Sequence, residues 1–152
     1  MLAFRTRILF FCLLWLSSSL GGETVLEKAV RLIEGKNHQE AQVLLDRTVQ
    51  AEPRNAEAWF QLGRLQLRTK NPRKAVEYAD KAIQINPGKA DYHVLRGNSL
   101  GRLAQEANIF RAMGFASDGR GALEKAVQIE PGNRTAVSAL FSWYFNVPAM
   151  GG

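Results

Sequence analysis

A proline returns along this chain at a spacing that few folds tolerate. Glu52-Pro53-Arg54-Asn55, Asn86-Pro87-Gly88-Lys89 and Glu130-Pro131-Gly132-Asn133 are variants of one turn. Pro53 and Pro87 lie 34 residues apart, and Pro87 and Pro131 lie 44 apart, the same period with ten residues inserted. Proline lacks an N–H and its ring clashes with the preceding helical turn. A proline at fixed period therefore marks where each helical unit stops. A unit of 34 residues holds two helices and their turns, and it buries its apolar face only by stacking on the next unit.

Local signals place the helices inside that frame. Thr24-Val25-Leu26-Glu27 has the form of a capping box. Gly35-Lys36-Asn37 reads as a turn, Asn55 as an N-cap with Glu57 in the first turn, and Asn71-Pro72 as a cap followed by proline at the first helical position. Asn133 caps a last helix, although Asn133-Arg134-Thr135 also fits a glycosylation acceptor. The spacing predicts seven helices near 24–34, 39–51, 56–68, 72–85, 90–107, 115–129 and 134–145, paired in order, with Asp118-Gly119-Arg120-Gly121 a loose lead-in to the sixth. No strand is expected outside the first residues.

Within one period the chain reads Trp59-x-x-Leu62-Gly63, then Ala75, Ala79 and Ala82, then Pro87. This resembles the tetratricopeptide repeat, with Gln66 standing where tyrosine is usual and Ala79 where phenylalanine is usual. Weaker copies run in phase: Val25, Ala29, Leu32, Ala41 and Leu45 upstream; His93, Gly97, Leu100, Leu123 and Ala126 downstream; Val137, Leu140 and Tyr144 in a fourth, partial unit. The resemblance implies an all-α helical-hairpin solenoid of about three and a half repeats over 22–152, divided near 22–55, 56–89, 90–133 with the insertion, and 134–152. Trp59 and Leu62 then fill the space between paired helices, and Gly63 admits a close approach.

The first 21 residues differ in kind. Arg5 and Arg7 precede an apolar run from Ile8 to Leu16, followed by Ser17-Ser18-Ser19-Leu20-Gly21. That is the pattern of a secretory signal peptide, with cleavage expected after Gly21; the other reading is an uncleaved N-terminal anchor. The expected location is exported, and periplasmic if the source is Gram-negative. Cys12 is the sole cysteine, so cleavage leaves no thiol for a disulfide, a metal or a nucleophile.

Charge and motifs narrow the function classes. The chain has 20 basic and 14 acidic residues, net +6, and the two leader arginines lower this to +4 for the rest. That is mild for a nucleic-acid binder. His38 and His93 are far apart with no ligand-spaced partners, so no metal is expected. No phosphate loop or nucleophile elbow is present, no cofactor is implied, and no enzyme is expected.

In this repeat family the first helix of each pair lines a concave groove. The positions that face it are Glu23, Leu26, Val30, Ile33 and Glu34 in the first unit. In the second they are Glu57, Phe60, Arg64, Leu67 and Arg68, and in the third Asp91, Val94, Asn98, Gly101 and Arg102. The expected partner-binding residues are Phe60, Arg64, Leu67, Arg68, Asn98 and Arg102. Arg64, Arg68, Lys70, Arg73 and Lys74 form a run with no acid between Glu57 and Glu77. It reads either as a grip on an acidic protein or peptide or as a solvated face. The carboxylate clamp of one branch of the family is absent, because its positions carry Leu26, Val30, Gln61, Asp91 and Leu95.

Two features break the pattern. The insertion carries Ile109, Phe110, Met113 and Phe115, which reads as longer helices or as an exposed apolar lobe, and it is similar to a segment of exported bacterial repeat proteins. After Arg134 no charged residue follows through Gly152. In the last helix Val137, Leu140, Phe141, Tyr144 and Phe145 are expected to face inward. Trp143 and Val147 then lie outside the stripe, as an apolar partner surface shared with Phe110, Met113 and Phe115. A helix so apolar needs a partner, a second copy, or a further repeat of a longer solenoid. The sequence thus points to a protein-interaction scaffold of the cell envelope. The alternatives are a docking or regulatory subunit of an envelope enzyme complex, or a membrane-tethered assembly factor.

Overall fold

The computed structural model describes residues 23–146; the leader and Val147 lie outside the described residues. Every regular element described is an α-helix: α1 Val25–Glu34, α2 His38–Ala51, α3 Ala56–Arg68, α4 Pro72–Ile85, α5 Ala90–Glu106, α6 Ile109–Ile129 and α7 Arg134–Asn146. Consecutive helices pack as antiparallel hairpins, and α1, α3, α5 and α7 also meet one another in series along the solenoid.

The 34-residue period shows in backbone chemistry as well as in sequence. Thr24 closes a full capping box with Glu27. The turns after α1 and α3 are copies: Lys36 (φ 64°) and Lys70 (φ 60°) take the left-handed conformation. In both, an asparagine N–H reaches back to cap the helix, Asn37 to Leu32 O at 2.9 Å and Asn71 to Gln66 O at 2.8 Å. Between hairpins, the Trp59 indole donates to Pro53 O at 2.9 Å, and 34 residues on His93 Nε2 meets Pro87 O at 3.0 Å. A carbonyl only accepts, so His93 Nε2 carries the proton. His93 therefore takes the place of the missing tryptophan as donor.

The core lies in two clusters. One joins Ala29, Ile33, Leu45, Ala58, Leu62 and Leu65 across the first three helices, with Trp59 and Tyr78 at its edge. The other joins Ala90, Val94, Leu123, Ala126 and Ala136, with Leu140 and Trp143 packed against it. Ile33, expected in the groove, is fully buried in the first cluster. Glycines set helix spacing: a Cβ on Gly63 would stand 2.7 Å from Leu95 Cδ2, and one on Gly97 2.6 Å from Leu123 Cγ and 3.0 Å from Gly119 O.

The ten-residue insertion is absorbed as helix. α5 is 17 residues against 13 in α3, α6 is 21 against 14 in α4, and the connecting turn is one residue shorter. The expected start of the sixth helix at 115 is thereby corrected to Ile109, where Asn108 caps it by accepting from the Arg111 N–H at 3.1 Å. Asp118-Gly119-Arg120-Gly121 is mid-helix rather than a loose lead-in, because Gly119 serves packing.

The last helix is rotated from expectation. Val137, Phe141, Tyr144 and Phe145 face solvent, Phe141 and Phe145 being 62% and 74% exposed. Trp143, expected outside the inward stripe, is instead half-buried in the second cluster. The reason is space. Alanines at 136 and 139 let the helix close on its neighbours, and Gly101 and Gly119 leave a slot for the indole, with each missing Cβ 2.5 Å from the ring.

Candidate groove and end cleft

The inner faces of α3, α5 and α7 form a continuous concavity. Its middle is a cleft of about 460 Å³ lined by Phe60, Arg64, Leu67, Arg68, Asn98 and Arg102 among others. The six expected groove residues thus stand together. Phe60 stacks on Tyr92 with centroids 5.0 Å apart, and the Arg64 guanidinium lies 5.8 Å from the Phe60 centroid.

Acidic side chains at this level are already engaged. Glu57 accepts from Gln61 Nε2 at 2.7 Å and from the Tyr92 hydroxyl at 3.1 Å, and it pairs with Lys89 at 3.5 Å. Burial, and next the Glu57 carboxylate, hold the Tyr92 hydroxyl far above the usual phenol range. Asp91 accepts from Asn133 at 3.2 Å. By contrast Arg64, Arg68, Lys70, Arg102 and Arg134 form no ion pair among the described residues. Arg64 donates to Gln61 Oε1 at 2.9 Å, which leaves its charge uncompensated. At the other end, a shallower depression of about 400 Å³ holds Leu26, Val30 and Glu34. There Glu27 is occupied by its cap, and the Thr24 backbone N–H, then its hydroxyl, hold its carboxyl below the usual range. The groove grades from acidic and apolar to basic.

Beyond Arg102 the groove opens into a cleft of about 990 Å³ walled by α5, α7 and the start of α6. The sequence reading missed its walls: Ala112 and Ala116, and Arg134, Thr135, Ser138 and Ser142. A signal was present for three of them. Thr135, Ser138 and Ser142 follow Asp91, Val94 and Asn98 by 44 residues, the same groove positions carried across the insertion. Trp143 also lines this cleft, so its place is at the cleft wall and the core edge rather than on an outer partner surface.

The expected apolar lobe is present in part. Phe110 is 86% exposed, with Ile109 and Met113 also at the surface, whereas Phe115 is half-buried. Among the described residues no helix is long and apolar enough to cross a membrane, and no group of three or more His, Cys, Asp or Glu side chains stands together as metal ligands.

Residues 32–98 match a family model of the tetratricopeptide repeat. No curated protein sequence matches the chain. Solved structures do. A thermophilic tetratricopeptide protein of Thermus thermophilus superposes with TM-score 0.74 at 20% identity, over 80% of this chain and 63% of that one. The first tetratricopeptide domain of Spaghetti (RPAP3), bound to an HSP90 peptide, gives 0.68 at 17% identity over 80% and 88%. An O-GlcNAc transferase mutant of Thermobaculum terrenum gives 0.71 at 25% identity, over 84% of this chain but 22% of that one. The chain thus spans less than two thirds of two of these relatives. The described residues form a tetratricopeptide-like helical solenoid, and residues 32–98 carry the match to the repeat family.

Proposed function

We propose that this chain is a protein-interaction scaffold that takes an acidic peptide segment along its concave groove. One observation carries the reading: at the middle of the groove Arg64, Arg68 and Arg102 have no ion pair among the described residues, while Glu57 and Asp91 are engaged by neighbours. Half-buried Arg64, with exposed Arg68 and Arg102 beside it, offers unpaired guanidinium groups that a ligand carboxylate satisfies. The tetratricopeptide neighbour bound to an HSP90 peptide supports peptide binding by a fold of this kind. On this reading the chain holds partners, as a free-standing adaptor or as the docking subunit of an enzyme complex. The leader pattern supports an exported, envelope setting, with tethering as the alternative if the leader stays attached.

The test is binding of acidic peptides to the chain at rising salt and to Arg64→Ala, Arg68→Ala and Arg102→Ala variants. Affinity should fall with salt and with each substitution. Binding indifferent to both would reduce the arginines to a solvated face.

A second reading concerns α7. Val137, Phe141 and Phe145 form an exposed apolar face, with the two phenylalanine rings 4.4 Å apart. No charge after Arg134 opposes an identical face, so this surface suits a second copy of the chain. Sedimentation of wild type against a Phe141→Glu, Phe145→Lys variant decides it: the wild type should associate and the variant should not.

A further inference from the structure

The ten inserted residues do more than lengthen two helices. α5 continues past the level at which α3 turns, and the first turns of α6 come alongside it. Ala112 and Ala116 thereby reach the groove side, where the regular second helix of a hairpin has no residue. Together with Gly101, Ala104 and Ala139 they leave space rather than fill it. The cleft of about 990 Å³ sits at the top of the roughly 300–1,000 Å³ range of ligand-holding clefts.

Trp143 is the one aromatic side chain at the wall. It does not collapse into the space, because the slot between Gly101 and Gly119 holds its ring: either glycine's Cβ would stand 2.5 Å from it. Trp143 and the alanines thus give a fixed apolar wall, and Thr135, Ser138 and Ser142 add neutral hydroxyls on the α7 side. The rim carries Arg102 and Arg134, both without an ion pair among the described residues, and no residue lining this cleft is acidic.

The geometry points to a side-chain subsite at the C-terminal end of the groove that takes a large apolar residue of a peptide, flanked by carboxylates that meet Arg102 and Arg134. The inference deepens the groove reading and rests on it. The apolar walls of alanine and tryptophan select the side chain, and the rim charges select what stands beside it. An apolar residue flanked by lysines would meet two unpaired guanidinium groups and be rejected.

Three labelled nine-residue peptides titrated with the full chain test this by fluorescence anisotropy. One is acidic with a central phenylalanine, one has serine in its place, and one keeps phenylalanine but has glutamine for every acid. Wild type should bind the first about tenfold or more tighter than the second, the gain expected from burying one large side chain, and should bind the third weakly. Ala116→Trp fills the cleft from α6, and Ser138→Trp, an exposed site, fills it from α7. Either should abolish the ratio between the phenylalanine and serine peptides, each measured on the same variant. Helical dichroism equal to wild type identifies the variant to read. Equal binding of the first two peptides to wild type, or a preference that survives both fillings, overturns the subsite and leaves the acidic groove standing. Failure of both acidic peptides to bind overturns the groove reading and the subsite with it. Binding of palmitate but of neither peptide would assign the cleft to a lipid carboxylate and overturn the proposal.

Discussion

The hairpin α3–α4 and the hairpin α5–α6 occupy successive places in one solenoid, yet they are built to different ends. The first is compact. Leu62 and Leu65 are fully buried, Gly63 and the alanines at 75, 79 and 82 bring its helices together, and the left-handed Lys70 turns the chain back as soon as packing is complete. The second omits that turn, runs on for a further turn or two in each helix, and puts the added length at the surface: Phe110 outside, Ala112 and Ala116 along the groove. The contrast teaches that the repeat itself needs about 34 residues for stability, and that residues beyond this number are free to make a site.

The contrast can be broken or sharpened by matched substitutions read as shifts in urea midpoint. Leu62→Ala, at a fully buried site in the first cluster, should cost about 3–5 kcal/mol, whereas Leu140→Ala, half-buried at the edge of the second, should cost about 1–2. Equal costs would mean that the C-terminal half is as tightly built as the first. Next, Gly97→Val should destabilise by about 2–3 kcal/mol through overpacking against Leu123 and the Gly119 carbonyl. Gly114→Val, with nothing within 4 Å of its Cβ, should move the midpoint far less; a larger loss at Gly114 would contradict the exposed course of the inserted turns. Trp59→Ala should cost about 2 kcal/mol, below the 3–5 of a fully buried tryptophan, because the ring is half-exposed under Lys81. His93→Phe removes the bond to Pro87 O and should cost about 0.5–1 kcal/mol, with His93→Trp restoring it. Smallest is Lys70→Gly, which relieves a positive φ but raises unfolded-state entropy and should change stability by less than about 1 kcal/mol. A loss well beyond that would show that the Lys70 side chain matters to the fold.

The groove was legible in sequence where repeats are regular. Phe60, Arg64, Asn98 and Arg102 sit at fixed offsets from Pro53 and Pro87, and helical periodicity carries each offset to one face. The same offsets continue to Thr135, Ser138 and Ser142 only if the insertion is counted, and the apolar richness of α7 drew attention to its phenylalanines instead. Hydrophobicity alone does not orient a terminal helix. Its most apolar face is free to remain outside when a less apolar face fits its neighbours more closely.

By itself the sequence determined the number of helices, their pairing and the turns between them, because proline, capping residues and the alanine–glycine pattern act over one or two helical turns. It also determined that basic side chains gather on the third and fifth helices' inner faces. Only the tertiary structure decided that Glu57 and Asp91 are spoken for, that Trp143 lodges between Gly101 and Gly119, and that the insertion walls a cleft. Those outcomes depend on distances between residues that are 24 to 42 positions apart, and contacts over such separations are set by how helices pack, which no local pattern encodes.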